Sequence, residues 1–288
     1  MTKAKAYYEL TKPGVTYGNA ISAIAGFLFA SHGMVNWTVF FWITLGTTLV
    51  IGAACALNNY LDQDIDAKME RTQKRAKLIE TVGPRNALIF AVVLAVVGFV
   101  LLAAFTNWWV VLVEAIGYIT YVVFYGMWSK RKSVHGTLVG SISGAAPILG
   151  GYAGAAGGID LGGLLVFAVI FVWQMPEFYS ISIYRRKEYV AAGLPVSGVV
   201  RGVQRTTRHI FVYTFLFVTF ALALSIFDYA TSWTYLIAMG VAGVYWLYLG
   251  WLGMSAKEPD AWARRMFKFS LTALLLFCGL ISIDAWLP

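Results

Sequence analysis

The sequence predicts an all-α membrane protein, a polytopic helical bundle of about nine transmembrane spans. Three observations carry the class. Of the 288 residues 59% are apolar and only 12% charged, with mean hydropathy +0.70, whereas a soluble domain carries about 25% charge. The apolar residues fall in runs close to the ~20 residues that a spanning helix needs. All 22 Lys and Arg fall in alternate connections between those runs, as the positive-inside rule requires. Backbone in lipid must satisfy its own hydrogen bonds, so the runs are helices.

In chain order the spans are read as residues 15–31, 37–57, 86–106, 108–128, 136–156, 162–182, 209–228, 231–253 and 267–287. Placing the N-terminus in the cytoplasm puts every Lys and Arg on the inner side and the C-terminus outside. The outer connections are short and rich in Gly, Asn and Ser, which suits tight turns. Two inner loops, about 58–85 and 183–208, are long, and each follows a span ending in carboxylates. Their similar settings suggest an internal duplication, within a single membrane domain covering 1–288. The net charge of +8 thus belongs to topology and to one membrane face, not to nucleic-acid binding. Cys55 and Cys278 lie inside apolar runs and read as small buried hydrophobes. No apolar signal region with a cleavage site and no Arg/Ser-rich transit peptide precedes the first span, so no removable leader is expected.

The chain is organised around residues 58–72. Asp62, Asp64 and Asp66 are three of its 14 acidic residues within five positions. On a helix, Asn58, Asp62 and Asp66 stand at i, i+4 and i+8 and form one stripe. Three oxygen-bearing side chains with Arg71, Lys74 and Arg75 just beyond suit a Mg2+ ion shared with substrate phosphates. The plainer alternative is a polar helix end that caps a span. A second cluster is Trp173-Gln174-Met175-Pro176-Glu177, followed by Arg185, Arg186 and Glu188. Pro176 is expected to kink or break the helix, leaving Glu177 at the inner face. Glu177 then either pairs with Arg185 or Arg186, or opposes the Asn58/Asp62/Asp66 stripe while those arginines grip phosphate. A third cluster, Tyr125 to Lys132, ends a span with Lys130 and Arg131, as topology anchors or as phosphate ligands.

The other chemistry-bearing residues point elsewhere. None of His32, His135 and His209 has a partner at zinc-ligand spacing. Glu114 is an acid in mid-span, read as an interhelical hydrogen bond. The run Gly140 to Pro147 allows close helix approach, as packing or beside a flat substrate.

The Asn58-x3-Asp62-x3-Asp66 stripe resembles the first signature of the intramembrane UbiA-type prenyltransferases. Within them the chain is similar to the protohaem IX farnesyltransferases (haem O synthases). The similarity lies in Leu10 to Gly14, Asp64 to Thr72, Lys130-Arg131, Gly144 to Pro147, Trp173 to Pro176 and Arg185 to Tyr189. These motifs occur in order from residue 10 to about 200, and Trp262-Ala263-Arg264 extends them. The resemblance implies a nine-helix bundle with a central cavity open towards the cytoplasmic side, and transfer of a farnesyl group from farnesyl diphosphate to the vinyl group of haem b. It implies metal ligands Asn58, Asp62 and Asp66, with Glu177 joining them in catalysis. Arg71, Lys74, Arg75, Lys130, Arg131, Arg185, Arg186 and Glu188 would serve the diphosphate, and His135, Tyr125 and His209 the haem. Two departures stand out. Glu177 occupies a position where the family usually has His, and Arg75-Ala76 replaces its Arg-Pro. An aromatic quinone precursor is therefore the alternative acceptor; a transporter or non-catalytic haem-binding protein is the reading from another class. Expected partners are both substrates, the bilayer, and other membrane proteins of haem biosynthesis or oxidase assembly.

Overall fold

The computed structural model describes residues 2–288, and the described residues form helices and connections without a strand. Helix α1 (Lys3–Leu10) precedes α2 (Pro13–Ala30), and α3 (Trp37–Leu61) runs back. A long connection then holds α4 (Gln63–Asp66) and α5 (Gln73–Val82) before α6 (Pro84–Phe105). Helix α7 (Trp108–Ile119) continues into a π-helix (Thr120–Ser129) and a last turn, α8 (Lys130–Lys132). Next come α9 (Gly136–Ala156) and α10 (Leu161–Tyr184), and a second long connection with α11 (Arg186–Ala191) and α12 (Ser197–Val200). The chain finishes with α13 (Gly202–Ile226), α14 (Trp233–Leu252) and α15 (Pro259–Ile283).

The two ends of the bundle start their helices differently. At the end without Lys or Arg, α3, α7, α10 and α14 begin behind Asn36, Asn107, Asp160 and Ser232, whose side chains accept an orphan amide of the first turn. At the basic end α2, α6 and α15 open with Pro, whose fixed φ suits a first turn and whose missing N–H has no helical partner there. Asp284 ties the far end together, accepting from the Thr231 amide at 2.8 Å and the Ser232 hydroxyl at 2.7 Å.

Seven helices are long and apolar enough to cross a membrane, which makes this a multi-pass membrane protein. Helices α2 and α9, which the sequence reading counts with them, are long but fall short in apolarity because they are rich in Gly, Ala and Ser. Their place in the bundle explains that composition. Helix α2 packs on α9, α3 and α15, while α9 packs on α2, α10 and α7. A Cβ on Gly26 would stand 2.1 Å from the Ile148 carbonyl oxygen, and one on Gly151 2.0 Å from that of Ala23. Only glycine permits this approach. The two extremes of burial show the contrast: the α6 window has mean hydropathy 3.1 with 17% of it buried, that of α10 1.7 with 61% buried. Lipid-facing residues must be apolar, whereas the centre can use small residues for contact.

One expectation about local structure is corrected. Pro176 lies inside α10, which runs unbroken from Leu161 to Tyr184. One lost N–H bond does not end a helix held on three sides by α9, α13 and α15. The long connections carry short helices of their own. Leu78, Ile79 and Val82 of α5 pack on Ala6 and Leu10 of α1, so the polar N-terminal segment becomes a docked helix. Glu114 does form an interhelical hydrogen bond, accepting from the Thr47 hydroxyl at 3.0 Å.

Candidate active site

Helix α3 ends at Leu61, and Asp62 adopts φ −98°, ψ 11°. The register nevertheless continues. The Asp62 amide donates to the Asn58 carbonyl at 2.9 Å, and the Asp66 amide to the Asp62 carbonyl at 2.8 Å. The expected stripe therefore exists, spread over two helices. Asn58, Asp62 and Asp66 are 2%, 1% and 5% exposed. The Thr72 hydroxyl donates to the Asp66 carbonyl at 3.2 Å and holds the following turn back against the stripe.

Other elements bring cations to it. Lys12 precedes Pro13 in a left-handed conformation, φ 51° and ψ 68°, and its buried ammonium donates to Asn58 Oδ1. Burial pushes Lys12 down to about 8. The adjacent Asn59 fixes this geometry, since its Nδ2 donates to the Leu10 carbonyl at 2.8 Å. Lys130, from the turn after the π-helix, pairs with Asp62 Oδ2. Arg131 spreads over the end of α3: it donates to both Asp64 oxygens at 2.8 Å and to the Leu61 carbonyl at 2.7 Å, and lies 3.5 Å from Asp62 Oδ1. The Arg131 guanidinium holds the exposed Asp64 carboxyl below its ordinary range. Lys130 and Arg131 thus belong to the acid site itself.

The π-helix supplies the aromatic wall. Its wider turns carry Tyr121 and Tyr125 with ring centroids 5.7 Å apart. The Tyr121 hydroxyl reaches Asn58 Oδ1 at 3.5 Å, and the Lys130 ammonium stands 5.9 Å from the Tyr125 ring. π-Helical segments recur at functional sites.

The second long connection closes over the first. Ile65 and Met69 pack on Ala192 and Leu194, with Tyr189 and Val196 against them. Arg185 donates to Glu188 Oε1 at 2.6 Å, while Glu188 Oε2 is buried without a hydrogen-bond partner among the described residues. Arg71, Lys74, Arg75 and Arg186 have no ion pair among the described residues. Arg71 lies within electrostatic reach of Tyr125 and Tyr189, and Arg75 of Lys12 and Tyr121.

Glu177 sits partly buried on α10 with neither hydrogen bond nor ion pair among the described residues. Arg185, one of its two expected partners, is taken by Glu188 instead. No three His, Cys, Asp or Glu side chains converge among the described residues. His135 and His209 meet around Arg201 rather than around each other. Local sequence patterns do not bring Lys12, Tyr121 or Tyr189 to this arrangement. Lys12 carries a signal, a lysine before the proline that opens an apolar run, but the charge pattern alone assigns it to topology.

The donor set fits a hard divalent cation. Asp66 offers a buried carboxylate to which no group among the described residues donates, beside the oxygens of Asp62 and Asn58. Mg2+ takes one or two carboxylates together with substrate phosphates rather than an all-protein cage.

Comparison with known proteins bears on this arrangement. A family model described as the UbiA prenyltransferase family matches residues 19–272. A protoheme IX farnesyltransferase of Klebsiella pneumoniae subsp. pneumoniae is 39% identical over 284 residues, covering 99% of this chain and 96% of the relative. A solved digeranylgeranylglyceryl phosphate synthase shares the fold with TM-score 0.83 at 17% identity, with 99% of both chains covered. A UbiA homolog from Archaeoglobus fulgidus bound to GPP and Mg2+ follows with TM-score 0.73 at 14% identity, covering 96% of this chain and 99% of the homolog. With its family model matched over most of its length and a relative of this identity, the chain belongs to the UbiA prenyltransferase family.

Proposed function

We infer that this protein transfers the farnesyl group of farnesyl diphosphate to a vinyl group of haem b, with water becoming the new hydroxyl. The observation that carries the chemistry is the buried Asn58/Asp62/Asp66 oxygen stripe ringed by Lys12, Lys130 and Arg131. The choice of haem as acceptor is supported by relatives of that activity, 39–40% identical across nearly the whole chain. All nine long helices cross the membrane in this reading, with the basic end in the cytoplasm, the C-terminus outside and the cavity opening inward. The whole chain acts as one domain.

Asn58, Asp62 and Asp66 would hold Mg2+, which supplies Lewis-acid neutralisation of the departing diphosphate. Lys12 and Lys130 stand where that leaving group accumulates charge, and Arg71 and Arg75 extend the positive field, lowering the barrier to allylic ionisation. Glu188 Oε2, buried and unpartnered, is a further oxygen donor from the second connection. Tyr121 and Tyr125 present ring faces that attract a cation. Ile65, Met69, Ala192 and Leu194 pack the two connections together and keep water from the allylic cation until the vinyl carbon has attacked.

Glu177 favours one second reading. A carboxylate without a protein partner, where the resemblance calls for His, suits an acceptor that is a quinone precursor with an acidic hydroxyl. The test is to incubate the purified protein with haem b, farnesyl diphosphate and Mg2+ and weigh the tetrapyrrole. A gain of one farnesyl group and one hydroxyl is expected, with diphosphate and a proton released. Unchanged haem from folded protein, with product from a quinone precursor, would replace the acceptor.

A further inference from the structure

A second cationic group at the basic end has no task in the scheme above. Arg201 lies half-buried in the turn between α12 and α13. Its Nη1 is 3.0 Å from His209 Nδ1, and its Nη2 is 3.4 Å from His135 Nδ1 and 3.3 Å from His135 Nε2. A guanidinium only donates, so His209 accepts on an unprotonated Nδ1 and keeps its proton on Nε2 as a further donor. The near-equal distances to both His135 nitrogens set the cation against that ring rather than in one directed bond. The His209 ring is 6.3 Å, centroid to centroid, from the buried Tyr179.

What the group lacks is an anion. Lys130, Arg131 and Arg185 each have an acidic partner, and Arg201 has none among the described residues. The nearest charged side chains along α13, Arg205 and Arg208, are also basic. A guanidinium fixed by two rings, with an imidazole N–H beside it, presents the planar donor fork that matches a carboxylate.

We propose that Arg201, with His209 and His135 around it, anchors a carboxylate of the tetrapyrrole acceptor. The proposal rests on the haem reading above. Haem b carries its carboxylates on one edge and its vinyl groups away from them. Carboxylates held at the basic end leave the vinyl groups directed into the apolar bundle. One polar anchor then decides which part of a flat substrate meets the farnesyl donor. Arg201 and His209 are positioning residues for the acceptor, and the donor half of the reaction does not involve them.

The experiment titrates the full chain in lipid nanodiscs with haem b and with its dimethyl ester, in which both carboxylates are blocked, following haem absorbance. Wild-type protein is expected to bind the ester about tenfold or more weakly than haem, the scale of a hydrogen bond to a charged group. Arg201→Gln should weaken haem binding by a similar factor while leaving ester affinity and the KM for farnesyl diphosphate unchanged, and Arg201→Lys should recover part of the loss. Equal weakening of haem and ester in Arg201→Gln would show a structural role and overturn the proposal. So would wild-type protein that converts haem yet binds both tetrapyrroles alike, a result that leaves the haem reading standing. Wild-type protein that neither binds nor converts either tetrapyrrole would remove the haem reading and the anchor together. Should Arg201→Gln fail to fold, the wild-type comparison and Arg201→Lys still decide.

Discussion

Asp66→Asn separates chemistry from folding more cleanly than any other change at the acid stripe. The Asp66 side chain is 5% exposed and makes no hydrogen bond or ion pair with the described protein. The amide keeps its size and one oxygen but removes a charge. At an effective dielectric of about 20, one unit charge about 4 Å from another is worth about 4 kcal/mol. That is about a thousandfold in rate, at roughly 1.4 kcal/mol per factor of ten. Turnover, read by mass analysis of farnesylated haem, should therefore fall about a thousandfold or more, and the Mg2+ requirement should rise. Stability should stay within about 1 kcal/mol of wild type, because no native interaction is lost. Asp62→Asn is the contrast. It strips the partner from Lys130 and weakens the hold on Arg131, so it should also destabilise, towards the lower end of the about 3–5 kcal/mol for a broken buried pair, since both cations are partly exposed. Thermal denaturation of the two variants in the same detergent makes the comparison. Full turnover in Asp66→Asn, or equal destabilisation by both, would refute the reasoning.

Three further outcomes follow from particular contacts. Gly151→Ala places a Cβ 2.0 Å from the Ala23 carbonyl oxygen and should cost about 1–3 kcal/mol or more. Gly14→Ala, with nothing within 4 Å, should be neutral or stabilise by up to about 1 kcal/mol, and paired melts check the opposite signs. Thr47→Val removes the only hydrogen-bond donor to the buried Glu114 carboxyl among the described residues and should cost about 1–3 kcal/mol; unfolding measurements should show the loss while folded protein keeps its turnover. Asp64→Asn breaks the bidentate pair with Arg131, worth under about 1 kcal/mol because Asp64 is largely exposed. Arg131 lowers the folded-state pKa of Asp64, so the contribution is present above the ordinary carboxylate value and lost as pH falls below it. The stabilities of wild type and variant should converge at acid pH and at high salt.

The features readable from sequence alone share one property: their physical cause is local. Apolar runs and the one-sided placement of Lys and Arg reflect transfer of each segment between water and lipid, and the membrane class and the helical elements follow from them. The stripe of Asn58, Asp62 and Asp66 follows from helical periodicity over nine residues, and it survived the junction at Asp62 because the i to i−4 bonds continue across it. The site's surroundings depend instead on which segments meet. Lys12 reaches Asn58, Lys130 reaches Asp62, and Arg201 reaches His135, each across a wide stretch of chain that no local pattern records. Carrying α10 through Pro176 was likewise settled by packing neighbours, whereas the Arg185–Glu188 pair is itself local, i to i+3. The low apolarity of α2 and α9 has the same origin, for they are the helices whose surroundings are other helices. Local free energy decides that a segment is a helix in a membrane; the packing of helices decides which charge faces which.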